Sequence, residues 1–230
     1  MLVKHGVRVH KIAIDVGFTC PNRDGSIGRG GCTFCNNQSF SPNGRRPESV
    51  VDQIEAGRQV IRKRTGARKY IAYFQAYTNT YAATCNGNRR YGHALDEPES
   101  QGVIWATRPD CVADDVLDLL ADFQQQGFEV WLELGLQSAH DKTLDKVNRG
   151  HGYDVYKQTV RRARARGIQV CTHLILGLPG ESTRHHLASL DKVLEAGVDG
   201  LKLHPLHVVK GTQLANTWRR GEYQPLTVDT

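Results

Sequence analysis

A partial (β/α)6, TIM-like barrel of the α/β class is predicted by three features of the 230-residue sequence. Six short segments read as strands. Helix-period segments separate them, so successive strands should join through βαβ crossovers into a parallel sheet. No linker, repeat or low-complexity tract divides the chain, so residues 1–230 are expected to form one domain. Six strands suit an open barrel better than a closed eightfold one.

The elements follow in order. RVHKIAIDV (8–16) is β-rich and alternates in polarity, which predicts the first strand. PESVVDQIEAGRQVIRKR (47–64) predicts a helix, with Pro47 near its start and Val50, Val51, Ile54 and Ile61 as its apolar positions. KYIAYFQA (69–76) is strand-like. The next crossover, ATCNGNRRYGHALDEPESQ (83–101), carries Asn86, Gly87, Asn88, Gly92 and Pro98, so a short or irregular helix is expected there. GVIWAT (102–107) and EVWLELGL (129–136) are strands on either side of the helix CVADDVLDLLADFQQQG (111–127), which Gly127 stops. VYKQTVRRARARG (155–167) is a helix, QVCTHLILGL (169–178) a buried strand, STRHHLASLDKVLEAG (182–197) a helix and VDGLKLHPLHVV (198–209) the sixth strand. The remaining GTQLANTWRRGEYQPLTVDT gives no further helix in this reading, which leaves a barrel truncated at its C-terminus.

The apolar fraction of 39% and charged fraction of 23% are those of a soluble globular protein. No run of about 18 apolar residues suggests a membrane span, and MLVKHGVRVHKIAID lacks the apolar core of a signal peptide. The expected compartment is the cytosol, where six cysteines point to metal or redox chemistry before disulfides. A net charge of +6 favours polyanionic partners, nucleic acid first.

Three of those cysteines, Cys20, Cys32 and Cys35, fall in the loop 17–40 at the carboxyl end of the first strand. Ligands of parallel α/β folds bind at that end. Gly25, Gly28, Gly30 and Gly31 let the loop turn tightly and offer backbone N–H groups. Three readings stay open from the residues alone. A structural zinc would need a fourth, distant ligand. A [4Fe–4S] cluster held at three irons would leave the fourth open to a cofactor or substrate. The thiols could also stand unligated.

CPNRDGSIGRGGCTFC, followed in order by FQAYTNTYA, ATRPD, LELGLQS, NRGH, HLILGLPGE and LKLHPLHV, resembles the radical S-adenosylmethionine (SAM) superfamily, in the branch of the elongator catalytic subunit. The resemblance runs from about residue 7 to residue 226. It implies a [4Fe–4S] cluster on Cys20, Cys32 and Cys35 whose open iron takes SAM, with reductive cleavage to a 5′-deoxyadenosyl radical.

The same resemblance implies roles for further residues. Phe34 would pack beside adenine, Glu133 would meet the ribose hydroxyls with Gln137 and Ser138 further along its strand, and Arg149 would pair with the SAM carboxylate. HLILGLPGE, opened by His173, would close over adenine through its backbone, the histidine itself reading first as a satisfied core residue. Many members carry Gly-Gly-Glu after the second strand. Here FQAYTNT stands instead, and Gln75, Tyr77 and Asn79 are candidates for the equivalent contacts or for substrate. Independently of any family, Glu133 in an apolar strand must find donors. Arg108, Lys202 and His204 sit at strand ends and are the catalytic or substrate-side candidates.

Arg161, Arg162, Arg164 and Arg166 crowd one helix, and Arg58, Arg62, Lys63, Arg64, Arg68 and Lys69 crowd another stretch. Each reads as a solvated helix face or as a phosphate-binding surface. The resemblance favours tRNA, at a wobble uridine side chain, with an electron donor such as flavodoxin or ferredoxin. Radical chemistry on a small metabolite, a non-catalytic iron–sulfur protein and a structural zinc protein are the other readings.

Overall fold

The computed structural model describes residues 6–36, 49–81, 91–97 and 99–227. Among them, six parallel strands form one sheet in the order in which they occur: β1 (Val9–Ile14), β2 (Lys69–Phe74), β3 (Ser100–Thr107), β4 (Glu129–Gln137), β5 (Gln169–Leu176) and β6 (Gly200–Pro205). No pairing joins β6 back to β1 among the described residues, so the sheet is an open (β/α)6 half-barrel.

The helices α2 (Val50–Thr65), α3 (Asp114–Gln125), α5 (Tyr153–Ala165) and α6 (Thr183–Glu195) are the four that the apolar spacing predicts. In α3, Val116, Leu117, Leu120 and Phe123 are buried, and in α5 Tyr156, Thr159, Val160 and Ala163. These i, i+4, i+7 faces enter one core with Ile12, Tyr70, Trp105 and Leu132 of the sheet. The expected start of α2 at Pro47 lies outside the described residues. Within them Ser49 caps the helix by accepting the Asp52 N–H at 3.1 Å, and Gly66 closes it with φ 67°.

Three helices go beyond the sequence reading: α1 (Pro21–Asp24) inside the cysteine loop, α4 (Asp141–Lys146) after β4, and α7 (Gln213–Arg219). The last corrects the expectation that no helix follows the sixth strand. Thr212 accepts the Ala215 N–H at 3.1 Å and starts α7, whose two turns are too short to show a periodicity. Leu214 of α7 joins Val147, Leu178, Leu206 and Tyr223 in a small second core over the carboxyl ends of the strands.

The irregular second crossover was expected at 83–101. Residues 82–90 are outside the described set, while 91–95 are helical. Tyr91 there packs at a tilt on Trp105, with ring centres 4.0 Å apart, and meets Phe74 edge-on at 4.8 Å, so the unit seals its side of the core with aromatic rings. No helix among the described residues is long and apolar enough to cross a membrane.

Candidate functional site

A cavity of about 330 Å³ opens at the carboxyl ends of the strands, and Cys20, Cys32 and Cys35 all line it. The loop that carries them is anchored at both ends. Buried Gln53 of α2 accepts the Asp15 N–H and donates to the Asp15 carbonyl, both at 2.8 Å, fixing the chain as it leaves β1. Cys20 then becomes the N-cap of α1, with Pro21 in the first turn. Asn22 turns inward to donate to the Asn148 carbonyl and towards the Cys32 sulfur at 3.7 Å. A Cβ at Gly28 would lie 2.2 Å from Asn22 Oδ1, so a larger residue there would displace the Asn22 side chain from this position. At the far end the Thr33 N–H donates to Val147, and the Thr33 carbonyl accepts from Leu214 at 2.9 Å. Residues 37–40, the rest of the loop expected at 17–40, lie outside the described residues.

Each cysteine has an arginine beside it. Arg108 Nη1 is 3.9 Å from Cys20 Sγ, Arg149 Nη1 is 3.6 Å from Cys32 Sγ, and Arg23 donates to the Cys35 carbonyl at 2.6 Å. Arg108 and Arg149 are 2% and 7% exposed, so their charges sit where water cannot screen them. Asp110 holds Arg108 through two bonds of 2.9 and 2.7 Å, while Arg149 donates to the Gly135 carbonyl at 2.5 Å. Burial opposes the charge on Arg108, but the Asp110 contact outweighs it and its pKa rises. Burial, then Arg149, pushes His151 down to about 3, so that ring adds no further charge. Burial and the neighbouring Cys32 raise the Cys35 thiol, which Arg23 partly offsets. Two buried guanidinium groups facing one carboxylate leave a positive floor that suits an anionic occupant.

The thiol geometry also bears on which group they would hold. Four ligands around one zinc lie about 3.8 Å apart. Among the described residues, the His, Cys, Asp and Glu groups whose ligand atoms gather within 4.8 Å of one another are Glu133, Cys171 and His173, not the three loop cysteines. Thiols that share a cavity without converging on one point fit a multi-iron cluster, in which each sulfur takes its own iron. At Glu133 an ammonium group already occupies the centre. Lys202 Nζ lies 2.7 and 2.6 Å from the two carboxylate oxygens, His173 Nε2 2.9 Å and Lys11 Nζ 3.4 Å away.

The donors that buried Glu133 requires are therefore these three residues. Burial acts to raise its pKa, but the bonds from His173 and Lys202 prevail and lower it to about 2. Tyr73 lies beneath both lysines, with Lys202 4.8 Å and Lys11 5.0 Å from its ring centre. The His204 ring is 5.2 Å from that of His173, and burial, followed by repulsion from His173 and Lys202, lowers its pKa.

The remaining expected residues divide. Phe34, Gln137, Arg108, Arg149, His173 and His204 line the cavity with Glu133. Gln137 sits at a register shift of β4 with φ 79°. Lys202 reaches the site through Glu133. Gln75 is not among the lining residues. Asn79 is turned away into structure, donating to the carbonyls of Phe74, Ala76 and Ala106 at 3.0, 3.3 and 2.8 Å. Tyr77 and Thr78 line the cavity from that loop. Arg23, Asn22, Thr78 and His207 were not singled out by the sequence reading. Arg23 and Asn22, inside CPNRDG, carry the clearest signal, a polar pair directly after a cysteine.

Part of the arginine-rich segments is engaged in ion pairs. Arg162 and Arg166 meet Asp114 at 3.2 Å, Arg166 meets Asp118 at 2.7 Å, and Arg164 meets Asp199 at 3.2 Å. Arg58 and Arg62 are paired with Glu97 and Glu99. These five arginines spend their charge on neighbouring carboxylates, which weakens the phosphate-surface reading for them.

Residues 17–193 match the Radical SAM superfamily, and residues 198–230 match the Radical_SAM C-terminal domain. The chain is 48% identical to Protein YhcC of Escherichia coli (strain K12) over 226 residues, which is 98% of this chain and 72% of that protein. It is 35% identical to the tRNA uridine(34) acetyltransferase of Dehalococcoides mccartyi over 127 residues, 54% of this chain and 27% of that protein. Among solved structures, the archaeal Methanocaldococcus infernus Elp3 superposes with a TM-score of 0.69 at 18% identity, covering 95% of this chain and 50% of that one. The chain thus spans about half the length of that solved structure.

Proposed function

The chain is an enzyme of the radical SAM superfamily, and from that premise we propose that its cavity holds a [4Fe–4S] cluster on Cys20, Cys32 and Cys35 and uses it, with SAM, to modify a tRNA uridine. The observation that carries the reading is the three-thiol loop set over the buried Arg108 and Arg149 guanidinium groups. With both cofactors bound there, one-electron cleavage of the SAM sulfonium supplies a carbon radical that abstracts hydrogen from the substrate.

The chain's own residues orient and exclude. Cys20, Cys32 and Cys35 hold the cluster. Arg108 and Arg149 compensate thiolate charge at a dielectric too low for water to do so. Arg149, which would also be in reach of a SAM carboxylate, is placed by the Gly135 carbonyl. Phe34, packed against the second core, covers the loop side of the cavity and keeps water from it. Glu133, fixed by Lys202 and His173, is a rigid polar wall for hydroxyl groups. His204 and Gln137 complete the mouth on the side from which a substrate enters. A cytosolic flavodoxin or ferredoxin is the kind of electron donor this chemistry needs.

Similarity to the tRNA uridine(34) acetyltransferase supports the tRNA assignment. The test is reconstitution under anaerobic conditions, addition of dithionite and SAM, and mass spectrometry of nucleosides from tRNA of cells with and without the gene. Release of 5′-deoxyadenosine and loss of one modified uridine in the deletion strain are expected. Release with unchanged nucleosides transfers the chemistry to a small metabolite. Absence of release from a protein with its iron loaded makes it a non-catalytic cluster binder.

A further inference from the structure

A second concavity, of about 430 Å³, lies between α4 and α6. That volume is within the range of small-molecule pockets. Its walls grow from the carboxyl ends of two strands that also build the thiol cavity. Residues 139–146 follow β4, and Pro179 and Gly180 follow β5. The two cavities therefore open on the same rim of the half-barrel.

Its charge is unbalanced. Lys142, Lys146 and Lys192 line it against one carboxylate, Asp141, and that carboxylate accepts the Tyr153 N–H at 2.8 Å at the start of α5. Lys192 is held over the Tyr153 ring at 5.1 Å and donates to the Ala139 carbonyl at 3.2 Å. Lys142 and Lys146, four residues apart on α4, are exposed, and among the described residues neither meets a carboxylate. Arg162 and Arg164 of α5 and Arg166 just after it, by contrast, are each paired. The Ser182 N–H points at His185 Nδ1 at 3.2 Å, which leaves the ring proton on Nε2 as a further donor. His140 lies edge-on to His185 at 4.9 Å.

We propose that this concavity binds a phosphate group, and that the phosphate is one of the RNA backbone whose base enters the thiol cavity. The second part rests on the tRNA reading above. Unpaired ammonium groups in a concave wall concentrate positive potential, and lysine takes phosphate as a point charge. A polyanion steered there would lie along the rim that carries the chemistry.

The test is the K142Q/K146Q variant, altered at two exposed positions away from both cores. One arm is the salt dependence of binding to unfractionated tRNA. The other is titration with inorganic pyrophosphate, followed by the imidazole NMR signals of His140 and His185. In the variant the slope of log K against log salt is expected to become shallower by about one unit, with affinity at low salt down roughly tenfold. Pyrophosphate should shift both histidines in the unaltered protein and neither in the variant. An unchanged slope with unshifted histidines overturns the site, and so does a shallower slope without the histidine shift. Shifted histidines in a protein that does not retain tRNA, or whose slope the variant leaves alone, keep the phosphate site and overturn its RNA assignment. Release of 5′-deoxyadenosine without RNA tests the enzyme reading separately.

Discussion

The ammonium nitrogen of Lys202 lies 2.7 and 2.6 Å from the two carboxylate oxygens of Glu133, a contact that reaches from β6 past β5 to β4. Glu133 is 2% exposed, so the pair ties the last strand to the middle of the sheet inside the cavity. Removing one partner of such a pair leaves the other short of donors. Lys202→Met is expected to cost about 2 kcal/mol, because His173 and Lys11 remain on Glu133. The urea midpoint measures it, and an unchanged midpoint would show that the ammonium is dispensable to the fold.

The same carboxylate gives the fold a pH dependence. Its folded pKa of about 2 is below the ordinary 4.5, so its stabilisation is complete above pH 4.5 and is lost as pH falls towards 2. The difference in unfolding free energy between the unaltered protein and Glu133→Gln, about 3 kcal/mol near neutrality, should narrow below pH 4.5. Urea melts at pH 6, 4 and 3 read it, and a gap that stays constant over that range contradicts the ion-pair account.

Cys20→Ala, Cys32→Ala and Cys35→Ala should each abolish retention of the roughly four irons per chain expected after anaerobic reconstitution. Cys111→Ala and Cys171→Ala should retain them. Burial, followed by Asp110 for Cys111 and Glu133 for Cys171, pushes these two thiols up to about 12 and about 11, away from the thiolate form. Iron and sulfide assays decide, and stoichiometric zinc in place of iron would refute the cluster.

Leu214 is 2% exposed in the second core, and its N–H holds the Thr33 carbonyl between Cys32 and Cys35. Leu214→Ala is expected to lose about 3 kcal/mol and to release iron faster to a chelator. Thermal melts and the kinetics of iron loss check the two halves. If stability falls while iron loss is unchanged, α7 does not clamp the loop.

At Gly102, with φ +156°, a Cβ would stand 1.9 Å from the Glu129 carbonyl oxygen on the neighbouring strand. Backbone cannot yield as a side chain can, so Gly102→Ala should destabilise by about 3 kcal/mol. A soluble variant with the parental melting temperature would exclude this close approach of β3 and β4.

Strands and long helices were legible because their signals are local. Alternation along RVHKIAIDV and the 3.6-residue spacing along DDVLDLLADF report which face is buried, whatever lies opposite. The three cysteines were legible for a similar reason, since their spacing survives in one dimension. The two-turn helices α4 and α7 were not, because so few residues complete no periodic face; Leu144 holds α4 in the main core, and the Thr212 cap and the second core hold α7. Asn79 was a reasonable cofactor candidate by position. Its place was decided by three carbonyl groups, one at the end of β2, one in its own loop and one on β3.

By itself, then, the sequence determined an α/β chain of six strands and a thiol-bearing loop at the end of the first. The tertiary structure alone decided which charges meet. Lys202 and Glu133 are 69 residues apart, Arg149 and Cys32 are 117 apart, and Arg162 finds Asp114 from 48 residues away. Hydrophobic periodicity is set within a turn or a strand, whereas a charge finds its counter-ion only after the strands are in register. A run of arginines therefore looks the same in sequence whether the fold neutralises it or leaves it for a polyanion.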